Sequence, residues 1–93
     1  MDSAEAAALL KDHLVAYRLR SYSELLKLRG KPQVAELRSA AGSTYQVEVK
    51  VFWDGRPGGA LRVVGSIDDG SWRALRPLCD DFILAPGGRF VGE

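Results

Sequence analysis

Five aspartates, Asp54, Asp68, Asp69, Asp80 and Asp81, stand at the ends of apolar segments or in the turns between them. Carboxylates drawn from several loops can hold a hard cation such as Mg²⁺ or Ca²⁺, or divide into a general acid and a general base. A metal-binding protein or metal-assisted hydrolase built here would use Asp68, Asp80 and Asp81. Their spacing matches no calcium loop, and aspartate also serves turns through its bonds to nearby backbone. The bases of the same region are all arginine, namely Arg56, Arg62, Arg73, Arg76 and Arg89, with no lysine after Lys50. Guanidinium groups pair with carboxylates through planar, often bidentate bonds, so an internal network of Arg and Asp is the expected use of most of these side chains.

Other catalytic groups are scarce. His13 is the only histidine and Cys79 the only cysteine, which excludes a histidine metal cluster, an internal disulfide and a thiolate cluster within this chain. Cys79 lies between Leu78 and Asp80 and is expected to be a small buried hydrophobe, since neighbouring carboxylates disfavour the thiolate. Gly55-Arg56-Pro57-Gly58-Gly59 and Pro86-Gly87-Gly88 are rich in glycine, but neither leads into a helix as a phosphate-cradling loop must. No catalytic constellation and no cofactor are implied.

The segments that position these groups can be read from periodicity. A chain of 93 residues with 46% hydrophobic and 27% charged composition fits one globular domain over 1–93, helical over 4–29 and sheet over 33–92. Ser3 is a candidate cap for a first helix whose buried stripe would be Ala7, Leu10, Leu14 and Tyr17. Ser21-Tyr22-Ser23-Glu24 has the form of a capping box, and Gly30 with Pro32 ends the short second helix it opens. Residues 33–39 read as an edge strand. From 44 to 53 the odd positions Tyr45, Val47, Val49, Val51 and Trp53 are apolar while the even ones are polar up to Phe52, the alternation of a strand with one buried face. Leu61, Val63, Gly65 and Ile67 repeat that pattern, and pairing Trp53 with Gly59 or Leu61 matches the apolar faces. Asp69-Gly70 has the composition of a type I′ turn, which would set Ile67 opposite Trp72, Gly65 opposite Ala74 and Val64 opposite Leu75. Residues 82–85 read as a further strand. The fold class expected is α+β, with two N-terminal helices packed on one face of a four- or five-stranded antiparallel meander.

The segments Phe52-Trp53-Asp54-Gly55, Pro57-Gly58-Gly59, Leu61-Arg62-Val63, Gly65-Ser66-Ile67-Asp68-Asp69-Gly70 and Asp80-Asp81-Phe82-Ile83 resemble a group of small bacterial domains of unknown function. The resemblance spans 52–93, less than half of the chain, and implies no activity and no catalytic residue.

Function is expected on the face opposite the helices. There Phe52, Arg62, Val64 and Leu75 would form a small patch of apolar groups and one cation, suited to a protein partner or to a second copy of the chain. A non-enzymatic interaction protein, such as a bacterial inhibitor or immunity-like partner, is therefore favoured over the metal-dependent alternative. A formal net charge of +1 gives no general drive toward nucleic acid, although seven bases against three acids over 11–38 supply a local excess. The N-terminus lacks the basic region of a signal peptide and no apolar run approaches a membrane span, so a cytoplasmic protein that does not bind membrane is expected.

Overall fold

The computed structural model describes residues 2–70 and 77–93. Helix α1 spans Ser3–Arg18 and α2 spans Tyr22–Leu26; four strands follow, β1 Gln33–Arg38, β2 Thr44–Trp53, β3 Leu61–Asp68 and β4 Leu78–Leu84. The strands form one antiparallel sheet in the order β1-β2-β3-β4, giving the α+β meander that the alternation predicts.

Both helix starts are capped by side chains. Asp2, rather than Ser3, caps α1 by accepting from the Glu5 amide at 3.0 Å, which also sets a carboxylate against the positive end of the helix. The capping box of α2 is complete: Ser21 Oγ accepts from the Glu24 amide at 3.2 Å, and the Glu24 carboxylate accepts from the Ser21 amide at 2.9 Å. The hydrogen bond from the Ser21 backbone N–H is the main cause holding the Glu24 carboxyl below its ordinary range.

The buried stripe of α1 is Ala6, Leu10, Leu14 and Tyr17, with Ala7 exposed. The run Ala6, Ala7, Ala8 offers three chemically identical side chains, so only the seating of the helix on the sheet selects among them. That seating depends on Gly65. A Cβ at this position would lie 2.8 Å from Leu10 Cδ1 and 3.1 Å from Leu14 Cδ2, so the missing side chain lets α1 settle onto β3.

The odd positions of β1, β2 and β3 and the even positions of β4 face the helices. Tyr45, Val47, Val49, Val51, Leu61, Val63, Ile67, Phe82 and Leu84 are buried there against Leu10, Leu14 and Leu25. Trp53 pairs with Leu61, the second of the two registers that the alternation allows, and the loop closes with Asp54 N–H donating to Ala60 O at 2.9 Å.

The second hairpin departs from the expectation. Ile67 pairs with Leu78, Gly65 with Asp80 and Val64 with Asp81, in place of Trp72, Ala74 and Leu75. Asp69 does not adopt the positive φ that a type I′ turn requires, and Gly70 alone does, at 77°. Asp68 Oδ1 instead accepts from the Gly70 amide at 2.8 Å, a side-chain turn in place of the type I′ one. The apolar pattern suits this partner: β4 brings Leu78, Phe82 and Leu84 opposite Ile67, Val63 and Leu61, and Phe82 and Leu84 are buried there. Trp72, Ala74 and Leu75 themselves lie outside the described residues.

Candidate functional site

With odd positions of the first three strands committed to the core, the even positions form a second face on which neither helix packs. Its rows follow from the register. Phe52, Arg62 and Ile83 lie side by side across β2, β3 and β4; Lys50, Val64 and Asp81 make the next row; Val34, Glu48, Ser66 and Cys79 run across all four strands further along. Phe52 is 43% exposed and Val34 68%, high values for large apolar side chains on a sheet.

Arg62 is the organising group. Its Nε donates to Asp54 Oδ1 at 2.9 Å, a second nitrogen lies 2.8 Å from the same oxygen, and the remaining arm donates to Asp81 Oδ2. Asp54 comes from the loop after β2 and Asp81 from β4, so one side chain ties three segments together. The hydrogen bond to Asp54, with the charges of both carboxylates, raises the guanidinium above its already high ordinary pKa and keeps it fully charged. Fixing the fork in this way removes much of the rotamer freedom that an arginine would otherwise lose on meeting a partner.

Of the four side chains expected at a partner surface, Phe52, Arg62 and Val64 share this face, and Leu75 lies outside the described residues. Val64 has Asp81 beside it on β4, so the patch is a mixture of apolar and paired charged groups and not a continuous apolar one. Val34 and Ile83 extend it; alternation over a short β1 and the position of β4 in the sheet were the signals that would have named them.

Asp68, Asp80 and Asp81 are not drawn together. Asp80 and Asp81 are successive residues of one strand and point to opposite faces, with Asp80 Oδ1 accepting from the Asp81 amide at 2.9 Å. Asp68 shares the outer face with Asp81, but Asp81 sits opposite Val64, four residues back along β3, a separation of roughly 13 Å. Among the described residues no group of three or more His, Cys, Asp or Glu side chains is placed to hold a metal ion. His13 is half-buried against the Tyr17 ring, centroids 5.8 Å apart. Cys79, expected inside, is exposed on the outer face opposite Ser66, because β4 turns its odd positions outward.

No protein-family model matches the chain, and no curated protein or solved structure matches it. No helix among the described residues is long and apolar enough to cross a membrane.

Proposed function

We propose that this chain is a non-enzymatic interaction module, an inhibitor or immunity-like partner of another bacterial protein, and that it binds through the helix-free face of its sheet. The observation that carries the reading is Arg62, tied to Asp54 and Asp81 and set between exposed Phe52 and half-buried Ile83. An arginine and an aromatic side chain in adjoining positions are the types that dominate binding energy at protein interfaces. The face measures roughly 14 Å across its four strands and about 25 Å along them, which suits a small interface better than a large obligate one.

Affinity capture with the full chain, from the bacterium that produces it, tests the proposal. Phe52→Ala and Arg62→Ala are each expected to weaken retention of the captured protein by roughly tenfold or more, with unchanged circular dichroism. Equal retention by both variants would remove the sheet face from consideration. Sedimentation velocity on the same proteins identifies the case in which the partner is a second copy, through an association that Phe52→Ala abolishes.

A further inference from the structure

Strand β1 covers only part of β2. Its first residue, Gln33, pairs with Val49, so residues 50–53 of β2 extend past it. The segment before β1 turns away and touches the sheet edge once more, through a parallel bridge between Arg29 and Val51. Between this segment and the overhanging strand lies a groove of about 410 Å³, floored by Phe52, Trp53 and Pro32 and bordered by Arg29, Lys31 and Lys50.

The charge of this groove is one-sided, since three of its lining residues are basic and none is acidic. Lys50 is shared with Glu48 at 3.5 Å on the outer face. Among the described residues, no carboxylate lies within ion-pair distance of Arg29 or Lys31. Arg29 is nevertheless held in place: its guanidinium stacks 4.8 Å over the Trp53 ring. A guanidinium held over a ring face still has N–H donors, and such donors bind a carboxylate in bidentate fashion. Gly30 takes up the turn at φ 77°, and Pro32 restricts the backbone after Lys31.

We infer that this groove binds an acidic segment of the partner protein, an extended chain whose carboxylates meet Arg29, Lys31 and Lys50 and whose apolar side chain rests on Phe52 and Trp53. The inference rests on the proposed interaction role and locates part of it, because Phe52 belongs both to the groove and to the sheet face. The volume matches one or two side chains. The floor calls for apolar surface, which a bare phosphate chain lacks, and the rim calls for negative charge, which an apolar ligand lacks.

The test uses the full chain, labelled with ¹⁵N, and a synthetic peptide of about eight residues of Asp and Glu around a central Leu-Phe pair, long enough at ~3.3 Å per residue to cross the groove. Titration is expected to shift the Trp53 indole resonance and the amides of residues 29–31 and 50–53. Replacing every Asp and Glu of the peptide by Asn and Gln is expected to weaken binding by roughly tenfold, as is R29E/K31E, whose exposed side chains can change without disturbing the core. Added salt should weaken the wild-type complex in parallel. Absence of shifts at millimolar peptide, equal binding of the uncharged peptide, or tighter binding of a single-stranded oligothymidylate than of the acidic peptide would overturn the inference. Ile83→Lys, on β4 beside Arg62 and away from the groove, separates the groove from the sheet-face reading. Loss of the captured native partner in Ile83→Lys, with full retention in R29E/K31E, overturns the groove alone. Loss in R29E/K31E with retention in Ile83→Lys supports the groove and removes the central face.

Discussion

Single side chains carry much of the architecture, and Gly65 is the clearest case. It is buried in the middle of β3, where a glycine is otherwise costly, and the space above it is filled by Leu10 and Leu14 of α1. Gly65→Ala is expected to lower stability by about 1–2 kcal/mol, the strain of pushing two packed leucines outweighing the gain from a stiffer unfolded chain. An unchanged urea midpoint would show that the leucines yield freely. Tyr45 joins β2 to α1 by donating its hydroxyl to Glu5 Oε1 at 2.7 Å. That hydrogen bond, followed by burial and nearby carboxylates, raises the Tyr45 pKa from 10.0 to about 12. The folded state thus holds the proton more tightly than the unfolded one, so the contribution is complete below pH 10 and lost as pH rises from 10 through about 12. Urea titrations across that window should show wild type losing its advantage over Tyr45→Phe, and a constant difference would place the stabilisation elsewhere.

Elements meet through similarly few contacts. The segment after β4 folds back through Ala85 N–H donating to Arg89 O and Val91 N–H donating to Ile83 O, and Phe90 bridges to Leu84. Arg18, the last residue of α1, clamps this segment: its guanidinium lies 4.8 Å from the Phe82 centroid and 5.0 Å from that of Phe90, and it donates to Glu93 at 2.8 Å. Each cation and ring pair contributes on the order of 0.5–1 kcal/mol, enough to matter for a short segment with few backbone bonds. Arg18→Ala should therefore speed amide exchange of Val91 roughly tenfold while leaving the amides of β2 and β3 unchanged. Equal exchange in both proteins would mean that the backbone bonds suffice. Most elements could be read from residue order, since a capping box and a period of two depend only on near neighbours. The cap of α1 and its first buried alanine could not, because Asp2 and Ser3 are both competent caps and adjacent alanines are alike.

For the molecule as a whole, the central division is between the two faces of the sheet. Both helices lie on one, leaving Arg62 and its two carboxylates on the other, and the overhang of β2 joins that face to the basic groove at Phe52. The principal extents of 40 × 22 × 21 Å describe an elongated body, about as long as a ten-residue strand with its loops.

Residue order alone specified the α+β plan, the two helices, the inward face of β2 and β3, and the outward face shared by Phe52, Arg62 and Val64. All of these follow from periods of 3.6 and 2 and from capping groups a few residues apart. The register that sets Phe52 beside Arg62 came from the structure. Tertiary structure alone decided which segment lies beside β3. The apparent turn at Asp69-Gly70 favoured a local return, whereas the buried surface of Phe82 and Leu84 favoured a partner further along the chain. That choice placed Asp81 on Arg62, turned Asp80 to the opposite face and exposed Cys79. The groove beside Trp53 was likewise illegible beforehand, because it arises from the mismatch between a six-residue and a ten-residue strand and from the path of residues 29–32 across the gap. Long-range pairing is set by the total area removed from water, a property of the assembled sheet that no local run of residues contains.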